Sequence, residues 1–349
     1  MASPDAVDFK LTVLSPGGRD GAQYFEQPSD PDSPAHAPVN FHALAACTGG
    51  SFHRDLKSAL AEKAPILLLL RGNFKATQRA LAELKEAKRT VVVSLKETGL
   101  HQIAQQLADR GRLARFIDVV AQADGCIATT PEAAEIFRMA RAKQDAATVV
   151  FIPTPYPLED RQWNMSVPPD QQAGIFVGTR EWNVPSRNHA AALLLARQLS
   201  ETTGESVTVF NFDRGKGRRL LAELKFPPGK LRVIEEQKSY ADYLREIAKH
   251  KIVLQLDRSR VPGQVAGDAL LGRTICVGGD GSIERIAFPG FCSEGRTFDQ
   301  LGKIASELAT NTNARATAIV ESQWRAMERL SFSATRKQLE TFYSRIAAK

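Results

Sequence analysis

Cysteine is scarce in this sequence. The four residues, Cys47, Cys126, Cys276 and Cys292, are too scattered to set out a metal site. Cys126 and Cys276 fall inside apolar, strand-like runs, so free buried thiols in a reducing cytoplasm are the expectation. Long apolar runs are missing too. The longest aliphatic run, Ile66–Leu70, suits a buried strand and falls far short of the roughly 20 residues that a membrane span needs. The opening MASPDAVDFK has neither a basic start nor an apolar stretch, so no secretion signal is expected. Charge is not blocked. The formal net charge is +7, but Lys and Arg are spread along the chain. That balance is compatible with an anionic ligand or a peripheral contact with an anionic inner membrane face, and specific nucleic-acid binding is not expected. There is no internal sequence repeat.

What is present fits two α/β cores. At 349 residues, 43% of them hydrophobic, the chain is long for one core and comfortable for two. Short β-branched or aliphatic runs predict strands at Lys10–Leu14, Ile66–Leu70, Thr90–Ser94, Gly125–Ala128 and Thr148–Ile152. Helical periodicity falls between them, over Thr77–Lys88, His101–Ala123 and Pro131–Lys143. The last of these opens with Thr130 as N-cap and Pro131 at the first helical position. The prolines of Gln27–Val39 predict a surface loop, and those of Pro153–Pro169 an interdomain linker.

After the linker the alternation restarts. Strands are predicted at Gly174–Val177, Ser206–Phe210, Leu231–Ile234, Ile252–Leu256 and Thr274–Val277. Helices are predicted over Arg187–Glu201, Gly217–Lys225, Tyr240–His250 and Gln264–Leu271. Ala316–Ile346 is helical in pattern, with an interruption at Ser331–Ser333. Such alternation implies parallel sheets with crossover helices, whose ligands sit at the C-terminal strand ends. Two strand ends there carry chemistry of their own. Pro262-Gly263-Gln264-Val265 precedes a helix, and free N–H groups at a helix start suit a diphosphate. Gly278-Gly279-Asp280-Gly281, followed by Glu284, points to a phosphate or sugar close to the main chain.

Two passages carry a family resemblance. Ala123–Glu159, a strand, turn, helix and strand ending in Ile-Pro-x-Pro, is similar to the end of the N-terminal domain in GT-B glycosyltransferases. Tyr240–Phe288 resembles the core of the retaining family-four glycosyltransferases: a helix and strand, a glycine-containing loop, an acid on the next helix, then a Gly-Gly turn before another acid. The resemblance implies two Rossmann-like domains facing a cleft. Residues 1–157 would form an acceptor-side domain and 170–315 a donor domain, with a C-terminal segment 316–349 packing across both.

The resemblance also implies roles. Arg180 and Arg187, after the Gly178-Thr179 turn, would clamp the donor diphosphate and stabilise the leaving phosphate. Gly263, Gln264 and Val265 would take the same diphosphate, and Asp268 the ribose. Gly279, Asp280, Gly281 and Glu284 would shape the sugar pocket. The family's first signature glutamate falls at Arg260, a departure, with Asp257 three residues earlier as a substitute. In the first half, Gly17-Gly18 is similar to a loop that packs against the donor. His101 would contact the transferred sugar, and Glu97 would act as a base. His189 is expected to be a helix-surface or packing residue rather than a catalyst.

The implied activity is transfer from a nucleotide-diphosphate sugar to a glycan or lipid-linked acceptor, in the cytoplasm, with no metal or other cofactor required. Three alternatives share the architecture: a sugar-nucleotide 2-epimerase, a non-catalytic nucleotide-sugar or glycan binder, and a DNA-base glycosyltransferase.

Overall fold

Seven strands form the first sheet: β1 Thr12–Leu14, β2 Gln23–Tyr24, β3 Ser51–His53, β4 Ile66–Leu70, β5 Val91–Leu95, β6 Gly125–Ala128 and β7 Val149–Phe151. The structure is a computed structural model. It describes residues 9–27, 29–33, 35–141, 147–179, 182–212 and 214–348. The order is β2-β3-β1-β4-β5-β6-β7, all parallel except β2, which pairs antiparallel with β3 at the edge. Every residue of β4 and of β5 is buried, as a sheet covered on both faces requires.

The two faces are separable along one strand. Ile66, Leu68 and Leu70 of β4 pack with Leu81, Leu84, Phe116 and Phe137, while Leu67 and Leu69 pack with Leu44, Leu339, Phe342 and Tyr343. That is the period-2 alternation of a strand read out as two helical layers. The last helix, Phe332–Ala347, therefore completes the second layer. It lies so close to β6 that a Cβ at Gly125 would stand 2.6 Å from Ile346 Cδ1.

The second sheet has five parallel strands, β8 Ile175–Val177, β9 Val207–Phe210, β10 Leu231–Ile234, β11 Ile252–Leu254 and β12 Ile275–Val277, in the order β10-β9-β8-β11-β12. The chain winds from β8 through β9 to β10, then crosses to β11 and β12 on the other side of β8. The switch point thus lies between β8 and β11, the place where open α/β sheets bind their ligands.

The chain divides into two units, Met1–Tyr156 with Ser331–Lys349, and Pro157–Leu330. The division cuts the expected C-terminal segment at its serine interruption. Ser331 is the N-cap of the last helix, its hydroxyl accepting from the Ala334 N–H at 3.2 Å. The helix before it, Thr312–Leu330, stays with the second unit. Sequence periodicity missed β2 and β3 and the short helices Asn40–Ala46 and Leu56–Ala61, and it left Phe298–Thr310 unassigned. The two missed strands are two and three residues long, too short to show a period of their own.

Candidate active site

A cavity of about 460 Å³ opens at the switch point of the second sheet. Its wall comes from the ends of β8 and β11 (Gly178, Thr179, Gln255, Asp257), from Arg187 and Phe212, and from Val261, Gly263, Gln264, Val265 and Glu284. The volume is ordinary for a small-molecule site. A larger space of about 980 Å³ in the first unit borders Thr12, Ser51, Pro65 and Thr90, at the N-terminal ends of the strands, where parallel sheets do not place their chemistry.

The glycine after β8 is dictated by packing. A Cβ at Gly178 would lie 2.4 Å from Val265 Cγ1, so only glycine lets the helix Gln264–Leu271 seat its first turn against this strand end. That helix has Gly263 as its N-cap, whose φ is 96° and which has no side chain of its own to cap it. Its first N–H groups and the positive end of its dipole therefore serve the cavity that Gln264 and Val265 line.

Arg187 is held from behind. It ends a short 3₁₀ turn, Pro185–Arg187, and pairs with Asp257, whose side chain is only 3% exposed. Asp257 Oδ1 also accepts the Ser259 N–H at 2.8 Å. The two loops are laced together: Asn188 Nδ2 donates to the Leu256 carbonyl at 2.9 Å, the Arg258 N–H to the Ser186 carbonyl at 2.9 Å, and Ser259 Oγ to Ser186 Oγ at 2.7 Å. The result is a fixed guanidinium with its charge partly met on one side.

Glu284 closes the floor. It is 1% exposed and belongs to the helix Ser282–Ala287. Gln255 Nε2 donates to its Oε1 at 2.6 Å, while Oε2 is buried without a hydrogen-bond partner. Burial pushes this carboxyl up to about 8. Its own backbone N–H and Arg187 oppose the shift, and Asp257 and Asp280 add to it. Thr179 Oγ1 is likewise buried without a partner.

The expected glycines turn out to serve Glu284. A Cβ on Gly263 would stand 2.1 Å from its Oε2, one on Gly281 2.4 Å from the same atom, and one on Gly279 2.7 Å from Oε1. The space expected to admit a phosphate or sugar at Gly279 and Gly281 is therefore filled by a side chain of the protein itself. Two more of the expected residues stand outside the cavity lining. Asp268 is fully buried within the helix Gln264–Leu271, accepts the Tyr240 hydroxyl at 2.5 Å, and does not line the cavity. Asp280 is also outside the wall; its oxygens take the Arg260 N–H at 2.9 Å and the Arg260 guanidinium at 3.2 Å. The departure at Arg260 is thus answered by a local ion pair, to which Glu294 adds at 3.7 Å.

Arg180 lies outside the described residues. His189 is buried beside Trp182, with ring centroids 4.3 Å apart, and burial lowers its pKa to about 4, so it is a neutral packing residue. Sequence reasoning missed Gln255, Val261 and Phe212. Phe212 is 44% exposed and stacks on Phe210 at 5.4 Å. A phenylalanine two residues beyond a strand end was the available signal.

The remaining expected residues belong to the first unit. Gly17, with φ 69°, and Gly18 form the turn after β1; a Cβ on Gly18 would meet Ser15 Oγ at 2.7 Å and Arg71 Nη1 at 2.9 Å. Lys96, after β5, pairs with Asp20 at 2.7 Å. Glu97 is half-buried and accepts from Gln102 at 3.4 Å. His101 is exposed on the first turn of the helix Leu100–Leu107. The sequence holds an Asp-x-Asp pair, Asp30-Pro31-Asp32, in which Asp30 Oδ1 accepts the Asp32 N–H at 2.9 Å. Among the described residues, no group of three or more His, Cys, Asp or Glu is placed to hold a metal ion. No helix among them is long and apolar enough to cross a membrane.

No family model and no curated protein matches the chain. Solved structures do. A UDP-forming α,α-trehalose-phosphate synthase from Burkholderia xenovorans aligns at TM-score 0.61 and 10% identity, over 87% of this chain and 77% of that one. An E. coli trehalose-6-phosphate structure bound with UDP-2-fluoro glucose aligns at 0.61 and 12%, over 83% and 74%. A mutant of S. aureus TarM, in complex with Fondaparinux, alpha-GlcNAc-glycerol and UDP, aligns at 0.60 and 9%, over 86% and 58%. At such identities the likeness is one of fold, and the fold of this chain is that of the GT-B proteins: two Rossmann-like units, each built on a mainly parallel sheet.

Proposed function

We propose that this chain is a glycosyltransferase that moves a hexosyl group from a nucleotide-diphosphate sugar to an acceptor. One observation carries the reading. The cavity at the β8/β11 switch point is lined both by Arg187 and by Gln264 and Val265, at the start of the helix Gln264–Leu271. Two independent anion-binding devices lining one cavity suit a diphosphate better than a neutral ligand. The similar structures that hold UDP or UDP-2-fluoro glucose share this fold.

In this reading Arg187, joined by Arg180, and the N–H groups at Gln264 and Val265 hold the diphosphate. They stabilise the charge that grows on it as the sugar leaves. The buried Thr179 hydroxyl adds a donor. Phe212 offers a flat apolar face on which a nucleobase stacks. Asp257 positions Arg187. Transfer with retention then needs no protein nucleophile: the leaving phosphate takes the acceptor's proton, and the rate comes from positioning and electrostatics. A glycan or lipid-linked saccharide is assigned as the acceptor, entering along the loops of the first unit. The reaction is placed in the cytoplasm, and no step of it uses a metal.

The test is thermal unfolding with UDP, GDP, ADP and dTDP and their sugars. A ligand at about 100 times its Kd stabilises a folded protein by about 2.7 kcal/mol. At least one of these should raise the transition, and R187A should remove the effect. If none does so, the donor reading fails. Incubating the active sugar nucleotide without acceptor and analysing the sugar separates transfer from 2-epimerisation.

A further inference from the structure

The donor reading leaves one group unexplained. A carboxyl group has been placed where a diphosphate is to bind, beside the start of the helix Gln264–Leu271. Glu284 Oε2 lies so close to Gly263 that no Cβ fits between them. An ionised carboxylate there would repel the ligand and compete for the same N–H groups. Yet three glycines, Gly263, Gly279 and Gly281, are spent on making room for it. Gln255 fixes its orientation by donating to Oε1, which leaves Oε2 buried, without a partner, in a side chain that lines the cavity.

We propose that Glu284 works as a neutral acid, donating a hydrogen bond from Oε2 to a phosphate oxygen of the bound nucleoside diphosphate. This rests on the donor reading above and adds a proton requirement to it. The orientation fits. Gln255 offers an N–H and so engages the carbonyl-like oxygen, leaving the hydroxyl for the ligand. The surroundings favour the neutral form. Burial and the like charges of Asp257 and Asp280 favour it, against the group's own backbone N–H and Arg187, and the buried Cys276 thiol is a further neighbour. The balance holds the carboxyl at about 8, so it carries its proton at neutral pH. The nucleotide's phosphates have lost theirs, since the second phosphate ionisation falls near about pH 6. Raising the pH then removes a donor from the protein and creates a repulsive charge, while the phosphates change little; ionisation of the base acts equally on wild type and E284Q.

The experiment measures the affinity of the full chain for whichever of UDP, GDP, ADP and dTDP stabilises it most at pH 6.5, by calorimetry at pH 7 and pH 9. A group titrating at about 8 is about nine-tenths protonated at the lower pH and about one-tenth at the higher. The wild-type Kd should therefore rise about tenfold. E284Q keeps a neutral side chain with an N–H at the same place, and its Kd should change less than about twofold over the same range. A second measurement needs no variant. Repeating the wild-type titration at pH 9 in buffers of different ionisation enthalpy should show uptake of about 0.9 proton per nucleotide bound, the ionised fraction of a group at about 8. A flat wild-type profile, an equal loss in E284Q, or zero proton uptake overturns the proposal while the donor reading stands. Absence of binding by all four nucleotides at either pH overturns both.

Discussion

Replacing Glu284 by glutamine should stabilise the second unit, and should do so more as the pH rises. An ordinary glutamate titrates near 4.5, and burial holds this one at about 8. The folded state therefore keeps a proton that the unfolded chain has already lost. Below about pH 4.5 both states are protonated and the residue costs nothing. Between 4.5 and 8 the stability of the wild type falls by about 1.36 kcal/mol per pH unit. Above 8 both states are ionised, and the full penalty, about 5 kcal/mol, stays constant. Glutamine is neutral throughout, retains the oxygen that Gln255 engages, and escapes the penalty. The gain from E284Q should be under about 1 kcal/mol at pH 5 and about 5 kcal/mol at pH 9. Urea unfolding followed by tryptophan fluorescence reads this directly. Trp163, Trp182 and Trp324 are the only tryptophans of the sequence, and all three belong to Pro157–Leu330. A gap between variant and wild type that does not change from pH 5 to pH 9 would refute the argument that burial keeps this carboxyl neutral.

Three further outcomes follow from the same geometry. R187A leaves the buried Asp257 carboxylate without its guanidinium, and unfolding of the second unit in urea should show a loss of about 3 kcal/mol or more, part of it recovered by adding D257N; a loss below about 1 kcal/mol would show that the pair is not under load. G263A and G178A each drive a methyl into an occupied space, 2.1 Å from Glu284 Oε2 and 2.4 Å from Val265 Cγ1, and should each cost about 2 kcal/mol or more, whereas G290A, which meets nothing within 4 Å, should stay within about 0.5 kcal/mol; equal effects at the three positions would contradict the packing described. All four cysteines are buried, and burial pushes the Cys126 thiol up to about 12, so a thiol reagent at pH 8 should label none of them in the folded protein and all of them in urea; rapid labelling of the folded chain would argue against this burial.

The candidate site was legible in the sequence where local chemistry marks it. Gly263-Gln264-Val265 reads as a helix start without a side-chain cap, and the structure puts it on the cavity wall. Arg187 and Asp257 were each singled out, seventy residues apart, but their pairing was not visible, because it depends on how two loops are laced at neighbouring strand ends. Asp268 shows the opposite case. Its position one turn into the helix suggested a ligand, whereas its side chain is buried and accepts the Tyr240 hydroxyl, a partner far off in the sequence. Gly279 and Gly281 announce a close approach in any reading; which atoms approach is settled by Glu284, from the following helix.

What the sequence by itself determined is the alternation of short apolar strands and periodic helices, the break at Ser331, and hence two parallel-sheet cores. These follow from period, capping and burial along a few consecutive residues, and local backbone preferences respond to nothing more distant. The tertiary structure decided which strand ends meet. The order β10-β9-β8-β11-β12 brings Gly178 to Asp257 and sets Arg187, Gly263 and Glu284 around one cavity. It also decided the state of Glu284. A carboxyl group's proton depends on the water and charge around it, and those are supplied by chain segments that the sequence holds far apart.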